Sequence, residues 1–279
     1  MHVSDLHFGT ERPACVAAVH ALVAECRPDA VALSGDITQR ARRDQFDAAR
    51  AFVETWRPRP VLVLPGNHDI PLFNLVARLF YPYGNYRAAF GAELEPVLDV
   101  DSLLLIGVNT TRPSRHKDGV VDTEQIARVA ARLRQARPDQ LRVVVTHQPA
   151  WVILPEDEEN RLHNADAALS QWTDAGMDLI LGGHIHLPYV QALRECRAGS
   201  SRNAWAVQAG TAVSTRIRRG APNSVNLIRY DAAARPRACQ VERWDYDERL
   251  ARFQIAKVTP ARLDEHAPHH QAATRTGPG

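Results

Sequence analysis

Short apolar, β-branched runs alternate along the chain with longer segments whose apolar residues recur every three or four positions. Ala30 to Leu33, Val61 to Leu64, Leu103 to Val108, Leu141 to Val145 and Leu179 to Leu181 have the length and residue types of buried strands. Pro13 to Cys26, Asp44 to Trp56, Thr123 to Ala136 and Ala165 to Ala175 carry the helical period. Pro13 suits a first helical turn, where its missing N–H costs nothing, and Asp122 or Thr123 can cap the third helix. The alternation predicts an α/β domain with helices covering sheet.

After Gly183 the pattern changes. Tyr189 to Leu193, Ala204 to Gln208, Val225 to Tyr230 and Ala238 to Trp244 read as strands joined by turns, which predicts a second, more antiparallel sheet packed on the first. From about Val258 the period is lost, so residues 1–257 are expected to form the domain and residues 258–279 a disordered tail. His266, His269 and His270 in that tail are read as solvated side chains rather than ligands.

Composition narrows the classes without choosing one. The 279 residues suit one large domain or two small ones, with 45% hydrophobic and 24% charged residues, an ordinary globular balance. A net charge of +2, spread along the chain, gives no concentrated basic stripe for a nucleic-acid partner. Cys15, Cys26, Cys196 and Cys239 form neither a CxxC pair nor a disulfide framework. No run is long enough to span a bilayer, and Met1 to Asp5 lacks the regions of a signal peptide, so a cytoplasmic location is expected. Only Met1 to Ser4 precede Asp5, so the first strand is expected to be short.

The chemistry gathers where the runs end. The first strand leads into Asp5-Leu6-His7, the second into Gly35-Asp36, and the third into Gly66-Asn67-His68-Asp69. The fourth sheet-forming run ends at His147, and the fifth at Gly182-Gly183-His184-Ile185-His186. Strand C-termini are where open α/β sheets place their sites. Each motif alone has a plain explanation: an Asp after a strand caps a helix, and Gly-Asn-His-Asp makes a tight turn. Their recurrence, each after an apolar run, points to one constellation.

Taken together, Asp5-x-His7, Gly35-Asp36, Gly66-Asn67-His68-Asp69, His147 and Gly183-His184-x-His186 resemble the signature of the calcineurin-like metallophosphoesterase superfamily, over Ser4 to about His186. The resemblance implies a four-layer α-β-β-α sandwich with the active site at the C-terminal ends of its strands. It implies two divalent or trivalent ions: Asp36 bridging both, Asp5, His7 and His186 completing one site, and Asn67, His147 and His184 the other. Such a pair polarises a phosphoryl group and generates hydroxide near neutral pH; mixed nitrogen and oxygen ligation suits manganese, iron or zinc. His184 and His186, two apart, can face the same way on an extended segment. His68 is left as general acid, and Asp69 is expected to hydrogen-bond and orient it.

The motifs look most like the bacterial cyclic-nucleotide and glycerophosphodiester phosphodiesterase branch. That implies a small phosphodiester substrate, such as a 3′,5′-cyclic nucleotide. A phosphomonoesterase or phospholipid-headgroup hydrolase, a DNA nuclease and a non-catalytic scaffold remain as alternatives. The aromatic stretch Ile70 to Arg87 reads either as a wall of the site, contacting substrate or a partner subunit, or as a helix packed on the sheet; segment 70–90 is where a homo-oligomer would form. The loops carrying Asn109, Arg112, His116 and His163 offer further substrate contacts, although each alone reads equally as an ordinary loop residue.

Overall fold

The computed structural model describes residues 1–196, 202–218 and 220–263. In chain order its strands are β1 (His2–Val3), β2 (Val31–Leu33), β3 (Val61–Val63), β4 (Val97–Val100), β5 (Leu103–Gly107) and β6 (Leu141–Val145). They continue with β7 (Leu179–Gly182), β8 (Tyr189–Ala192), β9 (Trp205–Gln208), β10 (Ser224–Tyr230), β11 (Ala238–Asp247) and β12 (Arg252–Arg262). Two six-stranded sheets result, in the orders β12-β11-β10-β1-β2-β3 and β4-β5-β6-β7-β9-β8.

The chain crosses between the sheets more often than its texture suggests. In the first sheet β1, β2 and β3 run parallel, and β10 joins β1 antiparallel. In the second, β5, β6, β7 and β9 run parallel, with β4 and β8 antiparallel at the edges. The late strands therefore do not build a sheet of their own. β8 and β9 extend the second sheet, while β10 to β12 return to the first.

Burial explains the layering. Helices α1 (Pro13–Cys26) and α2 (Arg43–Glu54) cover the first sheet through Val19, Leu22, Phe46 and Phe52. After two short helices, α3 (Leu75–Phe80) and α4 (Gly84–Phe90), helices α5 (Thr123–Arg134) and α6 (Ala165–Asp174) cover the second through Ile126, Leu133, Leu169 and Trp172. Leu62, Leu64, Leu105, Val143, Leu181 and Val241 fill the space between the sheets. The α-β-β-α sandwich follows, because each strand facing both a helix and the other sheet must be apolar on both sides. Pro13 stands at the start of α1, and Asp122 caps α5 in a capping box with Gln125. Among the described residues no helix is long and apolar enough to cross a membrane.

One expectation changes, at the far end of the chain. The tail boundary at Val258 is incorrect for the residues up to Leu263. β12 pairs with β11 from Arg252 to Arg262, with Val258 opposite Glu242, and Ala261 and Leu263 are fully buried. The period fades there because β12 is an edge strand and a register shift at Arg243 and Trp244 interrupts the alternation. Pro260, which cannot donate to a ladder, is tolerated at such an edge. His266, His269 and His270 lie outside the described residues.

β1 is as short as expected and meets β10 only at His2 and Asn226. Below it a cavity of about 530 Å³ lies between the sheets, lined by Met1, Ala32, Leu141 and Leu227 among others. The Met1 ammonium donates to the Ala30 carbonyl at 2.8 Å, and burial pushes its pKa down to about 5.

Candidate metal centre

The strand ends converge at one rim of the sandwich, and the backbone there is unusual. Asp5, His7, Asp36, His184 and His186 all take positive φ, between 45° and 72°. Non-glycine residues rarely adopt that left-handed region, and such strain clusters at functional sites. The glycines permit close approach between loops. A Cβ on Gly66 would lie 2.1 Å from the Asp36 nitrogen, and one on Gly183 would lie 2.0 Å from Ser4 Oγ and 2.4 Å from Asp5 Oδ2.

Asp36 sits between two groups of donors. On one side His7 Nε2 lies 3.7 Å from Asp36 Oδ2 and 3.1 Å from His186 Nε2, which is 3.2 Å from Asp5 Oδ1. On the other, His147 Nε2 lies 3.3 Å from Asp36 Oδ1. The Asn67 side-chain oxygen is 3.2 Å from His147 Nε2 and 3.0 Å from His184 Nδ1. Asp5, His7 and His186 each offer a ligand atom within 4.8 Å of the others, as do Asp36, His147 and His184, and as do His7, Asp36 and His68.

Backbone groups aim the rings. His147 Nδ1 meets the Ser34 carbonyl at 2.8 Å, and His186 Nδ1 meets the Arg216 carbonyl, which turns the other nitrogen of each ring toward the cluster. The Asp5 carboxylate accepts from the His184 backbone N–H.

The electrostatics are those of a buried charge cluster. Burial pushes His7 and His184 down to about 3. It opposes charge on His147 too, but Asp36 outweighs it and raises that imidazole to about 9. Burial would raise Asp36, but the imidazoles around it, His147 foremost, hold it well below the usual carboxylate range. The donor set fits cations: carboxylates, imidazoles and an amide oxygen point inward, two imidazole nitrogens meet at 3.1 Å, and buried His7 Nδ1 has no hydrogen-bond partner.

His68 borders the cluster from the third strand loop, its ring edge-on to His7 at 4.9 Å between centroids. Its Nδ1 lies 3.0 Å from the Gln39 carbonyl, and Arg216 Nη1 lies 3.3 Å from its Nε2. The expected hydrogen bond between His68 and Asp69 is not made. Buried Asp69 instead accepts from the backbone N–H groups of Ile37, Thr38 and Gly66 and from Thr38 Oγ1. It ties the second strand loop to the third and places His68 only through the backbone.

The loop residues scatter. His116 lines the same compartment as Asn67 and His68. Arg112 donates to the Asn109 and Thr111 carbonyls, to Asp122 and to Gln125, which makes it a brace for the start of α5. Asn109 is buried against Tyr83 and Thr111. Both line a separate, shallow depression with Glu95 and Arg128. His163 is exposed, and its backbone bridges to Val120. Sequence reasoning missed Gln39, Arg40 and Arg216, which line the compartment beside His68; no motif spacing marks them, since Arg216 is 148 positions from His68.

The family model of the calcineurin-like phosphoesterases matches residues 1–188. A glycerophosphodiester phosphodiesterase of Enterobacter lignolyticus (strain SCF1) is 27% identical over 165 residues, 53% of this chain and 56% of that relative. The chain thus spans little more than half the length of that relative. Among solved structures, a purple acid phosphatase from yellow lupin superposes with a TM-score of 0.68 at 13% identity, covering 94% of this chain and 53% of its own. A dimetal phosphatase from Danio rerio gives 0.61 at 12%, over 94% and 98%. A Plasmodium protein described as the anchor in the inner membrane complex gives 0.57 at 11%, over 95% and 88%. At these identities the structures show a shared fold only.

Proposed function

The chain belongs to the calcineurin-like phosphoesterases, and from that premise we propose that it hydrolyses a small phosphodiester with two metal ions. The observation that carries this reading is Asp36, whose two carboxylate oxygens face different donor groups, His7 on one side and His147 on the other. Asp5, His7 and His186 would hold one ion, Asn67, His147 and His184 the other, and Asp36 both. Manganese, iron or zinc suits that donor set. When bound, the pair supplies Lewis-acid polarisation of the phosphoryl group and a nucleophile at neutral pH.

The rest is done by the chain. His68, its Nδ1 held by the Gln39 carbonyl, presents Nε2 to the leaving oxygen and gives it a proton. Diester preference is supported by the likeness to the glycerophosphodiester phosphodiesterase, with 3′,5′-cyclic nucleotides as a second small-diester class. The location we favour is the cytoplasm, since Cys15, Cys26, Cys196 and Cys239 are all free thiols. The exposed side chains of Phe73, Leu75, Leu79 and Phe80 give segment 70–90 the character of a contact between copies of this chain, which sedimentation would read as a dimer.

A manganese-supplemented assay tests the reaction. Bis-p-nitrophenyl phosphate is expected to turn over at least about tenfold more efficiently than p-nitrophenyl phosphate. The reverse order would make the protein a monoesterase. Absence of turnover on every phosphoester, in protein carrying two ions, would end the enzyme reading.

A further inference from the structure

Beside His68 a compartment of about 250 Å³ adjoins the cluster, lined by Gln39, Arg40, His116 and Arg216 with Asn67, Ile70 and Leu72. Among the described residues no Asp or Glu lines it. Arg216 Nη1 donates to Gln39 Oε1 at 2.9 Å and lies 3.3 Å from His68 Nε2, with no carboxylate among these contacts. The Arg40 guanidinium rests on the Phe73 ring, 5.3 Å from its centre. Arg218, two positions along the same loop, shows the contrast: it donates to both carboxylate oxygens of Asp157.

We propose that this compartment is an anion subsite for the leaving group, and that the substrate is a diester containing a P–O–P link, so that the group expelled past His68 is itself a phosphate. The inference rests on the proposed phosphodiesterase reading and narrows it. An alcohol that takes a proton from His68 leaves neutral and has no use for guanidinium groups beside it. A phosphate leaves as an anion, which planar guanidinium forks bind in bidentate fashion. The volume holds about eight waters at roughly 30 Å³ each, enough for a phosphate and the first atoms of its ester but not for a whole nucleotide or an acyl chain.

The reaction balances with water alone. Its oxygen forms a new bond to one phosphorus, and the bond from that phosphorus to the bridging oxygen breaks. The bridging oxygen leaves with the second phosphoryl group, and two phosphomonoesters result. His68 gives its proton to the departing phosphate, and the water's protons restore it and pass to solvent. Arg216 and Arg40 hold the departing phosphate, and His116 closes the outer wall.

The test compares UDP-glucose, which has the P–O–P link, with bis-p-nitrophenyl phosphate, whose leaving group carries no phosphate, on manganese-loaded protein. Arg216→Ala is expected to lower kcat/KM at least about tenfold more on UDP-glucose than on bis-p-nitrophenyl phosphate, where the loss reads only its contact with His68. Arg216→Lys should recover only part of the loss, because a point charge lacks the fork. Turnover of bis-p-nitrophenyl phosphate without UDP-glucose, or equal losses on both, overturns the subsite. If the wild type cleaves neither, the phosphodiesterase reading fails, and binding decides the subsite separately. Metal-free wild type should bind inorganic pyrophosphate at low salt about tenfold more tightly than the Arg40→Ala/Arg216→Ala variant; equal affinity overturns it.

Discussion

A backbone carbonyl, that of Gln39, and not a carboxylate turns the imidazole of His68. Asp69, its neighbour in sequence, faces the other way and spends its oxygens on Ile37, Thr38 and Gly66. The two residues can therefore be separated by experiment. His68→Ala is expected to keep its metal content and lose turnover by roughly 10² to 10⁴, read by elemental analysis alongside kcat. Full metal content with undiminished kcat would remove His68 from the chemistry. At this scale the sequence was readable where a residue type has one use at a strand end. Asp5, His7, Asp36, Asn67, His147, His184 and His186 meet in space as their motifs imply. It was not readable where a side chain chooses between neighbours. Nothing in Asn-His-Asp says that Asp69 will fill its lone pairs with backbone donors, or that Arg112 will brace α5.

Among the elements, β12 departs furthest from its sequence pattern. An alternating strand advertises itself because one face is core, but β12 is an edge with a register shift, and several of its side chains are exposed. Its contribution lies at its end, where Ala261 and Leu263 are fully buried. A chain ending after Lys257 loses both, along with the pairing of Val258 to Arg262 with β11. Burial of Leu263 alone is worth about 1.5–3 kcal/mol, so the truncated protein is expected to unfold at clearly lower urea concentration. An unchanged midpoint would mean that β12 past Lys257 adds nothing. The central strands were legible because each is covered on both faces, which forces continuous apolar runs. Their distribution over two sheets was not, since pairing β10 with β1 depends on partners more than 200 residues apart.

The molecule as a whole concentrates buried titratable groups at one rim, and its stability should respond to acid. Burial pushes His2, His7 and His184 down to about 3, against about 6.5 in an unfolded chain. Below pH 6.5 the unfolded metal-free chain takes up protons at these rings that the folded one refuses, so stability falls as pH falls. Asp69, raised to about 6 by burial and by Asp36, acts in the opposite sense between about pH 4 and 6. His147, raised to about 9, is protonated in both states there. Two net protons from these side chains correspond to about 2.7 kcal/mol per pH unit, and the Met1 ammonium, pushed down to about 5, steepens the fall above pH 5. Urea midpoints in the presence of chelator should drop steadily from pH 6.5 to 4; a flat profile would show that these rings titrate normally. The four-layer architecture followed from the family that the motifs resemble, whereas the compartment beside His68 was not legible. It is assembled from the loops carrying Gln39, His116 and Arg216, which no local pattern relates.

If Asp36 is shared between two metal sites, its loss must change the number of ions bound. Elemental analysis of manganese-saturated protein after gel filtration should give two ions per chain for the wild type and at most one for Asp36→Ala. Two ions retained by Asp36→Ala, or no more than one in the wild type, would contradict the account.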